Sequence, residues 1–508
     1  MNRAARYRFK GVGVAAIEPA AVGVGEGLQE PYAKIAIIHL SESEQKRKII
    51  MRKYPKQKCA KKPIINANEI QYASRTTEKG NQVEYRPRIA DELLEYALEC
   101  FGAALIKGPK GCGKTTTAKQ HARSVVEFQD EDVRDNLIMI ANIAPSRLLK
   151  GEKPILFDEW QDAPKIWGAI RTDIDRSGEV GQYILTGSSS QGVDTPHTGT
   201  LRISQFQMLP LSLFESGESS GAVSLTGLFD DPDGFDGCES GLTLDELIFA
   251  ICRGGWPAAL NRKTERSKLA IAKDLFRQTY SVDISNIDGV SRNPLLAQAV
   301  LRSYARNICT TAEAKTVYGD VRAATEASDE TIRSYIAALE KLYIVADLDA
   351  WCPAIRSKTA IRSSRKRNLV DPSIAAAALG IGPSYFDKDF KTLGFLFGSL
   401  CIRDLTAYSA QFDGRMSYYR DRYGLEADGV LHLNDGRYAL IEFKLGESEV
   451  AEGAAHLCEI ERLVEEHNKK EHQCPLRLPD LKIVVTGTKF GYRRNDGVLV
   501  IPIGCLKN

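Results

Sequence analysis

Gly108-Pro109-Lys110-Gly111-Cys112-Gly113-Lys114-Thr115 fits the pattern G-x-x-x-x-G-K-[ST] at every position. The apolar run Ala103 to Ile106 precedes it and predicts a strand, while Thr116 to Ser124 follows with the composition of a helix. A glycine-rich turn between strand and helix can fold its backbone N–H groups around an anion, and the helix N-terminus adds partial positive charge. On this reading Gly108, Pro109, Lys110, Gly111, Cys112, Gly113, Lys114, Thr115 and Thr116 bind a nucleotide. Lys114 reaches the β- and γ-phosphates, and the Thr115 hydroxyl holds Mg²⁺. The bland alternative is a glycine turn ahead of a helix.

A second stretch weighs against that alternative. Residues 154–159, Pro-Ile-Leu-Phe-Asp-Glu, read as a short buried strand that ends on two carboxylates. In a parallel sheet such a strand delivers its last residues to the edge where the phosphate loop also lies. Asp158 is then the candidate to support the metal, and Glu159 to orient and deprotonate the attacking water. No Asn-Lys-x-Asp motif for reading guanine is present, which favours ATP over GTP.

A third predicted strand, Gln182 to Leu185, runs into Thr186-Gly187-Ser188-Ser189-Ser190, where a hydroxyl can sense the terminal phosphate or position water. Arg202 is the candidate charge-stabilising arginine, although any surface arginine would look the same.

The chain has 508 residues, a net charge of +2 and an ordinary hydrophobic fraction, 43%. Near-neutrality imposes no global field, but charge is locally uneven. Residues 46–62 carry nine Lys and Arg and no acid: Lys46, Arg47, Lys48, Arg52, Lys53, Lys56, Lys58, Lys61 and Lys62. Such a run is a solvated tail or a nonspecific phosphate contact. Eleven scattered cysteines without a C-x-x-C pair point to reduced thiols in a cytoplasm. His456, Cys458, His472 and Cys474 match no common zinc spacing. No apolar run is long enough to span a membrane, and Glu18 and Pro19 break the N-terminal apolar stretch too early for a signal peptide.

The expected organisation is α/β: a P-loop NTPase parallel sheet core, a helical and winged-helix middle region, and a C-terminal α/β domain like that of restriction endonucleases. Residues 1–84 form a basic extension of low order and 85–241 the nucleotide-binding core. Residues 242–350 are helical, and 351–508 form the last domain. Glu215 to Gly241 reads as a loop or hinge. Ser328-Asp329-Glu330 is a helix start, with Ile332, Ile336, Leu339 and Leu342 on one face. With a helix around Ala312–Ala324 this makes a helix-turn-helix, and Tyr343 to Leu348 can supply the next strand of a winged domain. Lys315, Arg322, Arg333 and Lys341 then suit a DNA-facing surface; a plain packing module is the alternative. A second basic cluster, Arg356, Lys358, Arg362, Arg365, Lys366 and Arg367, reads as a charged loop or a phosphate-contacting edge.

Near the C-terminus, Glu426-Ala427-Asp428-Gly429 and Leu440-Ile441-Glu442-Phe443-Lys444 predict two strands joined by a hairpin turn at 435–437. Alternation puts Glu442 and Lys444 on one face. Asp428 and Glu442 can bind Mg²⁺ beside a phosphodiester, with Lys444 polarising it. A helix on either side, the second over Glu452 to Glu466, completes the nuclease-like pattern.

Taken together, GPKGCGKT (108–115), ILFDEWQ (155–161), YILTGSSS (183–190), PLSLFESGE (210–218), GGWP (254–257), VDPS (370–373), LGFLFGSL (393–400) and ADGVLHL…ALIEFKLG (427–446) resemble a large prokaryotic family. Its members are AAA-type ATPases with a C-terminal domain related to restriction endonucleases. The resemblance implies ATP and Mg²⁺ binding, hydrolysis that switches domain arrangement, and a bacterial or archaeal cytoplasmic origin. DNA is the expected partner, with a protein partner or a homo-oligomer as further candidates. Two positions depart from the family: Gly398 stands where members carry Glu, and Leu201 where they tend to carry Gly. Two rival functions follow, an ATP-regulated metal-dependent nuclease and an ATPase with an inert DNA- or protein-binding module.

Overall fold

The apolar run before the glycine loop forms strand β1 (Ala103–Lys107) in a computed structural model that describes residues 85–187, 199–354 and 363–508. Helix α1 (Ile89–Cys100) precedes it and α2 (Lys114–His121) follows the loop. Then come β2 (Ser124–Glu127), α3 (Arg134–Ile143), β3 (Ile155–Asp158), α4 (Lys165–Ser177), β4 (Tyr183–Gly187) and β5 (Ile203–Gln207). All five strands run parallel in the order β2-β3-β4-β1-β5. Both faces are buried, which is why the central strands read as continuous apolar runs. Ala104, Ile106, Leu156 and Ile184 point into one core, and Ala103, Leu105, Phe157, Tyr183 and Leu185 into the other, beneath Ile166, Ile170 and Ile174 of α4.

The helix expected over Thr116 to Ser124 instead begins at Lys114 and ends at His121, because its first turn is the end of the glycine loop itself. Ser124 and the β-branched Val125 and Val126 pair with Ile155, Leu156 and Phe157 of β3.

Residues 215–241, expected as a loop or hinge, are stitched to the C-terminus. Val223–Ser224 pairs in parallel with Leu506–Lys507, Leu225–Asp230 is a helix, and β6 (Cys238–Glu239) pairs with Phe490 and Gly491. The partners lie more than 200 residues away, so local composition carried no sign of them.

The helical region contains α5 (Leu244–Arg253), α6 (Glu265–Gln278), α7 (Pro294–Arg306), α8 (Ala314–Ala324) and α9 (Asp329–Lys341). The Ser328 hydroxyl caps α9 by accepting from the Thr331 N–H at 3.2 Å. Ile332 and Leu339 are buried, as expected of the apolar face. After α9 the chain pairs with residues further on, Val345 with Leu369 and Leu348 with Lys366, both antiparallel.

Two helices, α10 (Pro372–Leu379) and α11 (Phe390–Ser409), lead into the second sheet. Its strands are β7 (Arg415–Arg420), β8 (Glu426–His432), β9 (Tyr438–Lys444), β10 (Leu481–Thr486), β11 (Phe490–Arg493) and β12 (Leu499–Pro502), in the order β6-β11-β12-β10-β9-β8-β7. Strands β7, β8 and β9 form an antiparallel meander; α12 (Val450–Lys470) then carries the chain across to β10, which pairs with β9 in parallel. The chain is thus mixed α/β: a parallel core, a helical middle and a C-terminal α/β region.

One hydrophobic core runs from Ile89 through the helical region to Leu506. No helix among the described residues is long and apolar enough to cross a membrane. The N-terminal extension with its basic run, Ser188 to Ser190, and Arg356, Lys358 and Arg362 lie outside the described residues.

Candidate nucleotide-binding site

The phosphate loop leaves β1 at Gly108, whose φ of +149° suits glycine. A Cβ there would lie 2.3 Å from the Met208 carbonyl, so the close passage of two backbones requires this glycine. Lys114, almost fully buried, folds back and donates from Nζ to the Gly108 and Pro109 carbonyls, each at 3.0 Å. Arg88 holds the outside of the loop: it donates to the Cys112 carbonyl at 2.8 Å, to the Leu209 carbonyl at 2.8 Å and to Glu215 Oε1 at 2.9 Å. Nothing in the sequence flagged Arg88; it acts through contacts with residues distant along the chain.

The acid pair meets the loop across the sheet edge. Thr115 Oγ1 donates to Asp158 Oδ1 at 2.7 Å. Strand β4 lies between β1 and β3 and brings Thr186, whose hydroxyl donates to the same oxygen at 2.5 Å. Burial raises the Asp158 carboxyl above its ordinary range, and the two threonine hydroxyls oppose that rise. Glu159 takes φ of +51°, an uncommon region for a non-glycine residue that turns the chain sharply after β3. Its N–H donates to Thr186 Oγ1 at 3.2 Å, and its carboxylate accepts from Gln161 Nε2. Lys110 extends from the loop to Asp283 of the helical region at 3.4 Å. A pocket of about 180 Å³ beside the start of α2 is lined by Tyr85, Gly113, Thr116, Leu211, Pro257 and Leu260.

Arg202 is placed elsewhere. Its carbonyl accepts from the Ala103 N–H, at the amino ends of β1 and β5, whereas the loop follows the carboxyl end of β1. Five residues of strand separate the two ends by roughly 16 Å. The Arg202 side chain pairs with Asp175 at 2.6 Å and with the Thr200 carbonyl at 3.0 Å. As a correction, it does not reach the loop of its own chain. Leu201 beside it has φ of +67° and is 83% exposed, a conformation that glycine would adopt at no steric cost.

The C-terminal carboxylates each meet a basic side chain. Lys366, with no exposed side-chain surface, lies 2.9 Å from Asp428 Oδ1 and 2.9 Å from Glu426 Oε1, and donates to the Asp428 carbonyl at 3.1 Å. Asp428 Oδ2 accepts from the Phe443 N–H at 3.2 Å. Lys444 pairs with Glu442 at 3.1 Å, and His456 Nδ1 is 3.6 Å from the other Glu442 oxygen. Burial works to raise the Asp428 carboxyl, but the Lys366 ammonium outweighs it and holds the group low. Burial, with Asp428 alongside, pushes Glu442 up to about 8. Among the described residues no three His, Cys, Asp or Glu gather to hold a metal. Asp428 thus has the Lys366 ammonium beside it, and Glu442 has Lys444 and His456. Lys366 belongs to the basic cluster expected as a charged loop or edge, yet its pairing with Leu348 turns it inward. At Gly398 a Cβ would meet Cys309 Sγ at 2.6 Å, so a glutamate there requires the Cys309 side chain to move.

Residues 101–216 match a family described as AAA domain. Residues 244–385 and 393–506 match two families described as domains of unknown function (DUF8612 and DUF4143). No curated protein matches the chain. Among solved structures, the Walker-type ATPase of Pyrococcus abyssi is 13% identical, with 58% of this chain and 99% of that one covered and a TM-score of 0.36. A signal-transduction ATPase with a tetratricopeptide repeat sensor from Pyrococcus horikoshii is 13% identical over 63% and 50%, TM-score 0.21. Drosophila ORC bound to DNA is 15% identical over 67% and 100%, TM-score 0.15. The loop, the acid pair and the AAA match together define an AAA-type P-loop ATPase domain, a class that implies nucleotide binding.

Proposed function

We propose that the protein hydrolyses Mg-ATP and uses the cycle to change how its ATPase core meets the helical and C-terminal regions, with DNA as the partner. The observation that carries the hydrolase reading is the 2.7 Å hydrogen bond between Thr115 and Asp158, which joins the phosphate loop to the acid pair. These hard oxygen donors suit Mg²⁺, which when bound neutralises charge on the phosphates. Lys114 exchanges its two loop carbonyls for phosphate oxygens. Glu159 accepts the proton of the attacking water. The pocket of Tyr85, Leu211, Pro257 and Leu260 takes the adenine base.

DNA is proposed on the helix-turn-helix of α8 and α9, followed by the paired segments around Val345 and Leu369. Lys315 and Arg322 on that surface are matched by Glu313 at 2.7 Å and Asp329 at 3.2 Å, so DNA must displace local acids. The C-terminal region we read as a restriction-endonuclease-like module that binds without cleaving, because Lys366 occupies its carboxylates.

The test is steady-state Mg-ATP hydrolysis with and without plasmid DNA, for wild type beside Lys114→Ala and Glu159→Gln. Turnover that DNA stimulates and both substitutions abolish supports the proposal. Near-wild-type turnover in Glu159→Gln removes the mechanism, and indifference to DNA removes the partner.

A further inference from the structure

Gln161 follows the acid pair on the short helical turn Trp160–Asp162. Its Nε2 donates to Glu159 Oε2. An ionised carboxylate only accepts, so the amide must direct its nitrogen at Glu159 and its oxygen away. That oxygen, Oε1, is buried and accepts no hydrogen bond from any described group of the protein. An unpaired buried acceptor costs about 1–3 kcal/mol, so in the folded chain this oxygen takes a water, a ligand or a reacting group as its partner.

The surroundings point to the reaction. Gln161, Glu159, Lys110 and Gln129 line a cavity of about 240 Å³ together with Asp283 and Asn286. A water molecule claims about 30 Å³ of liquid volume, so a terminal phosphate and its attacking water fit together there. Gly187, the last residue of β4, stands against the amide: a Cβ at that position would lie 3.2 Å from Gln161 Oε1.

We infer that Gln161 positions the water that attacks the terminal phosphate, its Nε2 fixing the Glu159 carboxylate and its Oε1 accepting one of the water's hydrogens. This rests on the hydrolase reading above. The water oxygen bonds to the γ-phosphorus, and the bond from that phosphorus to the β–γ bridging oxygen breaks with its electron pair going to ADP. The water's other proton passes to Glu159. Gln161 exchanges no proton and is a positioning residue. A side chain that merely supports the fold of the nucleotide site would affect ground-state and transition-state binding alike; one that holds the base and the water acts on the transition state alone.

The experiment compares wild type with Gln161→Met, which removes both polar contacts, and Gln161→Glu, which keeps an acceptor but loses the donor. Turnover is measured together with the affinities for the non-hydrolysable analogue AMP-PNP and for ADP–aluminium fluoride, which mimics the transferring phosphoryl group. Both variants should lose kcat by roughly 10- to 100-fold, as misplacement at a reacting centre does. AMP-PNP affinity should stay within twofold while ADP–aluminium fluoride affinity falls with kcat. If Gln161→Met does not fold, Gln161→Glu decides. Wild-type kcat in a folded variant, or a parallel loss of AMP-PNP affinity, overturns the assignment of Gln161 alone. Absence of turnover in wild type overturns the hydrolase reading and the assignment with it.

Discussion

Thr186 Oγ1 donates to Asp158 Oδ1 at 2.5 Å while accepting the Glu159 backbone N–H at 3.2 Å. One hydroxyl at the end of β4 thus fixes both acids of β3, and Thr115 reaches the same Asp158 oxygen from the phosphate loop. Thr186→Val keeps the shape and removes the hydrogen bonds. A hydrogen bond to a charged acceptor contributes about 1.5–3 kcal/mol, so kcat should fall by roughly tenfold or more. Nucleotide affinity, set mainly by the loop, should change little. Steady-state turnover with a parallel nucleotide titration checks this, and unaltered kcat would show that the loop alone orders the acids.

Arg403 is the buried joint of three regions. Its guanidinium lies 2.8 Å from Asp371 and 2.7 Å from Asp404. Asp371 also accepts the Gly255 N–H at 2.9 Å, and Asp404 the Leu213 N–H at 3.0 Å. Arg403→Met leaves two buried carboxylates uncompensated and should cost about 3–5 kcal/mol. Adding Asp371→Asn and Asp404→Asn should recover part of that loss. Urea unfolding of the single and triple variants measures it; a smaller effect in the single variant than in the triple contradicts the joint.

Lys366 performs the corresponding task at the C-terminal carboxylates. Lys366→Met should destabilise by about 3–5 kcal/mol, because Asp428 and Glu426 lose their buried cation. In the absence of nucleotide, Mn²⁺ should raise the Tm of the variant, since a cation can then replace the ammonium, and should leave wild type unchanged. A Mn²⁺-dependent rise of equal size in wild type would place a metal beside Lys366 and reopen cleavage.

Glu442 makes stability depend on pH. Its folded pKa, about 8, lies above the ordinary value of 4.5, so the folded chain holds a proton that the unfolded chain releases. Stability from this group is therefore present below about pH 4.5 and is lost as pH rises toward 8. Glu442→Gln, which does not titrate, should gain on wild type progressively between those limits, by more than about 1 kcal/mol at the alkaline end. Denaturation midpoints across pH 5 to 9 test it, and a constant difference between the two proteins would contradict it.

The sequence by itself carried the parts of this protein that depend on near neighbours along the chain. Gly108 to Thr115 must turn tightly between a strand and a helix, and only glycine adopts the backbone at Gly108 beside the Met208 carbonyl. The same holds for the strand that ends on Asp158 and Glu159, the Ser328 cap, and the hairpin at 435–437. Each of these follows from period, chirality or a local hydrogen bond.

Only the tertiary structure decided which side chains meet. Strand order puts Thr186 between the loop and the acids and Arg202 at the far end of the sheet. Antiparallel pairing with Leu348 turns Lys366 into the carboxylates, where the sequence offered a metal ion. Residues 215–241 look like a loop until Leu506 and Gly491 pair with them. The physical reason is common to all three: a charge or an unpaired backbone group must find a partner when it is buried. That partner is fixed by packing, and no local pattern in the sequence records it.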